Sequence, residues 1–345
     1  MVEPSLIHPF ADAVSRQVQL TRRPSGGPVA DDFTVVSVPV PALADGEVLV
    51  RNTHLALGAV MRSLILGTSA PLPPYPIRAA LFGPAVGEVI ASASPILQPG
   101  QRVKHRAGWR DLAWGPASDF ATLDESVLAD PVAHLAPGAV AYTGMRVAQV
   151  GPGDTVLVTG AAGAVGSLAG QIARLLGAER VIGTAGSPQK AAWAEQVIGY
   201  DHVVDYHEPD LALALTAAAP AGFSAVFDTV GGSQLEAAIS NARPRARVAL
   251  CGALGSQLGD EPPSLALNLT NLIGKRLTIA GFTPADHPDL ARAWPSQLAS
   301  WLQAGDILLP QHRMDGLDNA VPALLDLFAG RACGTVVVHL NDANR

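Results

Sequence analysis

Cysteine is almost absent from this chain: Cys251 and Cys333 are the only two among 345 residues. Two thiols cannot build a four-cysteine structural zinc lobe or the Cys/His/Cys set of a catalytic zinc site. None of the nine histidines stands in a ligand spacing such as His-Glu-x-x-His, so no metal is expected. Charge is scarce as well, at 15% of residues with a net charge of −7 and no basic run, which argues against nucleic acid or an anionic membrane as partner. No apolar stretch reaches the roughly 18 residues of a spanning helix. The opening Met1-Val2-Glu3-Pro4-Ser5 has neither the basic nor the apolar part of a signal peptide, and a cytoplasmic location is the expectation.

What is present is a globular composition, 48% hydrophobic, at a length that accommodates two domains. Short apolar runs broken by Pro and Gly predict strands at 33–38, 47–53, 85–91, 101–105 and 118–123, a β-rich, partly barrel-like domain over residues 1–136. From residue 137 onward, apolar strands alternate with helices. Strands at 155–159, 180–185, 202–206, 225–229, 247–251 and 277–282 would complete a doubly wound parallel sheet of the Rossmann type within residues 137–305, making the fold class α/β. A helix over 289–304 closes that sheet, with Pro295 expected to kink or split it. Strand 306–313, helix 317–329 and strand 334–340 are too few for a further domain, so residues 306–345 should return to the first one. The two domains are then expected to flank a cleft at the carboxyl ends of the parallel strands.

The segment Val156-Leu157-Val158-Thr159-Gly160-Ala161-Ala162-Gly163-Ala164-Val165-Gly166 runs from an apolar strand through a small-residue turn into a helix. Ala161, Gly163 and Gly166 occupy the three small positions of a dinucleotide-binding fingerprint, serving a tight turn, an approach to phosphate and helix–strand packing. The helix N-terminus would face the anion with unpaired N–H groups and the positive end of its dipole.

A cofactor with a free ribose 2′-hydroxyl usually meets a carboxylate about 20 residues past these glycines. Gly183-Thr184-Ala185-Gly186-Ser187-Pro188-Gln189-Lys190 has none and offers hydroxyls and a cation instead, which suits a 2′-phosphate and so NADPH. Lysine is rare here, at Lys104, Lys190 and Lys275 only. The plainer reading of Lys190 is a solvated residue at a helix start.

The chain resembles the medium-chain dehydrogenase/reductases, and within them the zinc-independent, NADPH-dependent alkenal double-bond reductases that include prostaglandin and leukotriene reductases. The resemblance runs through Gln17-Val18-Gln19-Leu20 with Arg22-Arg23-Pro24, Gly46-Glu47-Val48-Leu49-Val50-Arg51-Asn52, Met61-Arg62, the glycine turn, Lys190, the segment from Phe227 to Gly232, Cys251-Gly252-Ala253 and Gly281-Phe282. It implies a GroES-like first domain; a homodimer is the default expectation, because an outer strand of such a sheet often pairs across a two-fold, and the Pro/Leu/Gly content of 64–78 and 256–268 points to a small, apolar carbonyl compound as ligand. It also implies that Ala162, Gly163, Ala164 and Val165 meet the pyrophosphate, and that Gly186, Ser187, Lys190 and Tyr206 surround the 2′-phosphate. Thr229, Val230, Cys251, Gly252, Ala253 and Phe282 would approach the ribose and nicotinamide half. Tyr206 and the stretch from Asp228 to Gly232 read equally well as ordinary strand ends.

Departures from that group bear on the chemistry. Leu254-Gly255-Ser256-Gln257-Leu258 replaces a segment that carries a catalytic tyrosine, and Val60 stands where a second, substrate-facing tyrosine is common. Val60, Arg62 and Gln257 are the expected substrate contacts. Gln257 is the candidate oxyanion donor, with a solvent-facing loop residue as the alternative, and Tyr142 is a second catalytic candidate, with core packing as its alternative. The resulting expectation is hydride transfer from NADPH to the C=C bond of an α,β-unsaturated carbonyl or quinone-like molecule. A redox-neutral isomerase or cyclase on the same fold and a non-catalytic NADPH sensor are the alternatives, the first of them prompted by the missing tyrosines.

Overall fold

The computed structural model describes residues 12–68, 72–252, 254–255 and 268–340. Contacts divide the chain into two units, Met1–Leu135 with Arg313–Ala329 and Val336–Arg345, and Ala136–His312 with Gly330–Thr335. The sequence reading gave residues 306–345 to the β-rich domain. The second unit instead runs on to His312, and residues 306–310 form no strand. Their backbone has another partner: Leu308 N–H donates to Gln171 Oε1 at 2.7 Å, and Leu308 O accepts from Gln171 Nε2 at 3.1 Å.

In the first unit, β1 (Val14–Leu20) and β2 (Phe33–Pro39) pair as an antiparallel ribbon. A seven-stranded sheet contains β3 (Glu47–Leu57), β4 (Ala85–Ser92), β5 (Arg102–His105), β6 (Leu112–Pro116), β7 (Ala121–Thr122), β14 (Gln311–Asp315) and β15 (Thr335–His339). Its order is β14-β15-β3-β4-β5-β7, with β6 also on β3. Alternate residues of β3 and β4 turn inward, so Val48, Val50 and Val89 build a core with Val103 and Phe120. Between β3 and β4 lies α1 (Val60–Leu66), which ends at Gly67 with φ 73°. Arg23 satisfies the last carbonyls of α1, donating to Leu64 O at 2.8 Å and Ile65 O at 2.6 Å, and also to Tyr75 O.

The second unit is a sheet of six parallel strands in the order β10-β9-β8-β11-β12-β13. These are β8 (Thr155–Val158), β9 (Arg180–Ala185), β10 (His202–Asp205), β11 (Phe223–Asp228), β12 (Ala242–Leu250) and β13 (Thr278–Gly281). Every residue of β8 is buried, as expected of a central strand covered on both faces. The covering helices are α2 (Gly138–Val147), α3 (Ala164–Leu175), α4 (Pro188–Trp193), α5 (Leu211–Ala218), α6 (Gly232–Ser240), α7 (Leu269–Lys275) and α8 (Pro288–Ala304); α9 (Ala320–Phe328) belongs to the first unit. From β8 the chain winds outward to β10 and then returns to β11 beside β8, so the strand order reverses between β8 and β11. That reversal is where open α/β sheets hold ligands.

Pro295 does not split its helix: α8 is one element of 17 residues. Pro295 is exposed, on the side away from the core, while Trp294, Leu298 and Ala299 anchor the buried side.

The first unit also holds three buried or half-buried histidines whose surroundings favour the neutral form. His54 and His339 face each other across β3 and β15 with ring centroids 4.5 Å apart. Burial holds His54 and His105 down at about 4 and lowers His339 as well. Unfolding returns each ring to about 6.5, so between those values the unfolded chain binds protons that the folded one does not. Stability is therefore complete above about pH 6.5 and falls as pH drops toward 4. For His105, 7% exposed, the loss approaches about 3 kcal/mol. Urea unfolding measured across this window should show the decline, and His105→Gln should flatten it; a pH-independent wild-type stability would contradict the account.

Candidate functional site

After β8, the chain turns at Gly160, whose φ is 69°. A Cβ there would sit in the left-handed region and 2.9 Å from Thr229 Oγ1. The turn is pinned from β9: Gly160 N–H donates to Thr184 Oγ1 at 3.1 Å, Ala161 N–H donates to Thr184 O at 2.8 Å, and Thr184 Oγ1 donates to Gln234 Oε1 at 2.6 Å. The left-handed residue is thus Gly160, one place before the Ala161 to which the sequence reading gave the tight turn. Ala161 is fully buried instead.

Gly163 caps α3 with its backbone alone, no side chain closes the helix start, and the first turn contains no acidic residue. A Cβ on Gly166 would overlap the Gly160 carbonyl oxygen, so only glycine lets α3 press this close to the turn. Tyr200 reinforces the contact by donating its hydroxyl to Gly166 O at 2.7 Å. The result is an open helix N-terminus, rich in N–H groups and electropositive, at the sheet's switch point. The Gly330–Thr335 segment lies on the same turn, Gly334 N–H donating to Ala162 O at 2.9 Å.

The remaining sequence candidates in this unit follow the carboxyl ends of the neighbouring strands. After β9 come Gly186 and Ser187, the latter capping α4 by accepting from Lys190 N–H at 3.3 Å. Tyr206 follows β10 and covers Gly186, where a Cβ would lie 2.5 Å from the Tyr206 hydroxyl. Lys190 is half-buried, and burial lowers its pKa while the Cys333 thiol raises it. Among the described residues it has no ion-pair partner.

After β11, Asp228 is fully buried, and burial raises its pKa. Thr159 Oγ1 donates to its Oδ1 at 2.7 Å, and Gly231 N–H donates to its Oδ2 at 2.8 Å. Thr229 is locked to the end of β8, its N–H donating to Thr159 Oγ1 at 2.9 Å and its hydroxyl to Thr159 O at 2.8 Å. Cys251 N–H donates to Asp228 O at 2.8 Å, and Leu254 and Gly255 fold back to donate to Thr229 O and Val230 O. Burial first, and then Asp228, push the Cys251 thiol up to about 12, so it is protonated and no nucleophile. Phe282, after β13, packs 6.3 Å from the Phe227 ring.

Tyr142 lies elsewhere in this unit. It is 8% exposed within an aromatic cluster, 5.6 Å from Trp294 and 6.1 Å from Trp301. In the first unit α1 carries Val60, half-buried, and Arg62, buried. Gln257 and Ala253 lie outside the described residues. The sequence reading missed Gly160, Gln234 and the Gly334 contact, and it offered the Thr184 hydroxyl to the 2′-phosphate, whereas that hydroxyl is buried and donates to Gln234. Only Gly160 left a local signal, a glycine directly after an apolar strand.

The fold and the turn together define a Rossmann-type dinucleotide-binding protein with an additional β-rich unit. Residues 164–300 match the zinc-binding dehydrogenase family, and residues 16–123 match the N-terminal domain of oxidoreductase family. The NADPH-dependent curcumin reductase of Escherichia coli is 30% identical over 336 residues, 94% of this chain and 97% of that protein. Prostaglandin reductase 1 of Bos taurus is 31% identical over 326 residues, 91% of this chain and 95% of its own. The crystal structure of CurA in complex with NADPH from Vibrio vulnificus superposes with a TM-score of 0.84 at 31% identity, covering 94% of this chain and 99% of that one. The chain belongs to the medium-chain dehydrogenase/reductases, in their zinc-independent group. Despite the first family's name, no group of three His, Cys, Asp or Glu among the described residues is arranged to hold a metal ion.

Thr159 joins the ends of β8 and β11 through one hydroxyl. Thr159→Val should cost about 2–3 kcal/mol, because it removes the side-chain donor to Oδ1 of a buried carboxylate and the acceptor of the Thr229 N–H together. Denaturant unfolding measures this, and a loss below about 0.5 kcal/mol would show that the hydroxyl does not carry the junction.

Proposed function

We propose that this protein is an NADPH-dependent reductase that delivers hydride to the C=C bond of an α,β-unsaturated carbonyl or quinone-like small molecule. The observation that carries the reading is a half-buried Lys190 without a carboxylate partner among the described residues, in the first turn of α4 just after β9, the strand beside the one that leads into an uncapped, glycine-lined helix start. A desolvated cation in that place fits a 2′-phosphate and has no structural pair to explain it. The relatives named above support the same reading: two are reductases by name, one of these NADPH-dependent, and the third is a structure in complex with NADPH. None of these observations favours redox-neutral chemistry.

In this reading the backbone of Ala162, Gly163, Ala164 and Val165 takes the pyrophosphate at the N-terminus of α3. Lys190 pairs with the 2′-phosphate, assisted by Ser187, Tyr206 and the space left by Gly186. Thr229, Val230, Cys251, Gly252, Ala253 and Phe282 hold the ribose and nicotinamide half, Cys251 through its backbone since its thiol stays protonated. The bound cofactor supplies the hydride. Val60 and Arg62 contact an apolar carbonyl substrate, and the Gln257 amide donates to the carbonyl oxygen as negative charge gathers there, a contact typically worth about 2.7–4 kcal/mol in barrier. Tyr142 serves packing, as its aromatic neighbours indicate. No described helix is long and apolar enough to cross a membrane. A cytoplasmic homodimer completes the reading.

Purified protein should oxidise NADPH, followed by nicotinamide absorbance, in the presence of enones, enals or quinones. Each alkene product should gain two hydrogens by mass, whereas a product of unchanged mass would indicate isomerisation. Lys190→Ala should weaken NADPH binding by about 10- to 100-fold and leave NADH nearly unaffected. Equal losses for both cofactors would remove the 2′-phosphate role.

A further inference from the structure

The first unit contains a concavity of about 390 Å³ built where β5 ends and the chain turns toward β6. Phe82, Trp114 and Phe120 give it flat apolar walls, and His105, Arg106 and Arg110 give it polar ones, with Asp119 as its one acidic residue. None of these residues has a part in the cofactor site or in the substrate contacts proposed above.

Three features of the polar wall stand out. Arg110 uses Nε to donate to Gly108 O at 3.2 Å and Nη2 to donate to Leu81 O at 3.1 Å. Both acceptors are neutral carbonyls. Burial pushes this guanidinium down to about 10, so it is still charged at neutral pH, and among the described residues it has no carboxylate partner. A desolvated cation without a counter-charge is costly to retain.

His105 is the second feature. Its Nδ1 accepts from Ala107 N–H at 3.1 Å, which leaves the proton of the neutral ring on Nε2. Nε2 is buried and finds no hydrogen-bond partner, while the ring leans on Phe120 at 4.8 Å. Third, Arg106 is exposed at the same cavity, so two guanidiniums face one carboxylate. With His105 neutral, the cavity retains one net positive charge in a chain whose overall charge is −7.

We propose that this cavity binds a small aromatic carboxylate, its carboxylate on Arg110 and Arg106 and its ring among Phe82, Trp114 and Phe120. The guanidinium fork matches a carboxylate edge, and the arginines stack as readily on a ring as the aromatic walls do. A single surplus charge matches a monoanion better than a phosphate dianion. The cavity lies within the usual range for small-ligand sites. The proposal stands independently of the reductase reading, since every group it uses belongs to the first unit.

The probe is benzoate, titrated by calorimetry into the full-length protein, with benzamide as neutral isostere and inorganic phosphate as an anion without a ring. Benzoate should bind at least about tenfold more tightly than either. Arg106→Gln, an exposed substitution that should leave the melting temperature unchanged, should weaken benzoate by about fivefold or more, and Arg110→Gln should weaken it further. Imidazole NMR locates the site: bound benzoate should raise the pH at which His105 titrates, because it neutralises Arg110 and Arg106 beside the ring and Asp119 is unaltered. Equal affinity for benzoate and benzamide, phosphate binding as tight as benzoate, wild-type affinity in both arginine variants, or an unmoved His105 would each overturn the proposal.

Discussion

The dinucleotide-binding unit depends on the distance of closest approach between the start of α3 and the carbonyl of Gly160. A methyl group on Gly166 would overlap that oxygen, so the helix can lie against the turn only because both backbones are bare at this point. The same approach brings the uncapped N–H groups of α3 to the strand-order reversal between β8 and β11. Thr184 and Gln234 hold the turn from one side, and Thr159, Asp228 and Thr229 hold the next strand end from the other. The anion site is therefore a product of backbone packing, and the side chains around it mostly fix that backbone in place.

Desolvated positive charge is the second theme, and it recurs in both units. Lys190 and Arg110 are each lowered in pKa by burial, and neither has a carboxylate partner among the described residues. Other arginines are spent on surface carboxylates, such as Arg313 on Asp315 and Arg102 on Glu125. In a chain with a net charge of −7 a cation left uncompensated in a partly buried position points to a ligand that supplies the charge.

Much of the parallel sheet was legible because its strands are short apolar runs closed by turn residues. The predicted strand 180–185 coincides with β9, ending where Gly186, Ser187 and Pro188 stop it. β12 was read too short. It begins at Ala242, and Arg243, Pro244 and Arg245 look like a loop by composition; Arg243 nonetheless holds the strand by donating to Ala221 O and Thr155 Oγ1. What could not be read is non-local. Gln171 takes the backbone of Leu308 out of the predicted strand across 137 positions, and Gly334 reaches Ala162 from the far end of the chain. Tyr142 shows the same limit, since its core role depends on Trp294 and Trp301 in a helix far along the sequence. For the cofactor candidates, the resemblance named residues that follow the carboxyl ends of the strands, while the fingerprint gave the tight turn to Ala161, one place after the left-handed Gly160.

The central claim is that bare backbone at Gly166 creates the pyrophosphate site, and calorimetric titration of NADPH into Gly166→Ala tests it most directly. The account predicts a protein that retains its circular dichroism yet binds NADPH about tenfold or more weakly than the wild type. A folded Gly166→Ala variant with undiminished NADPH affinity would contradict it.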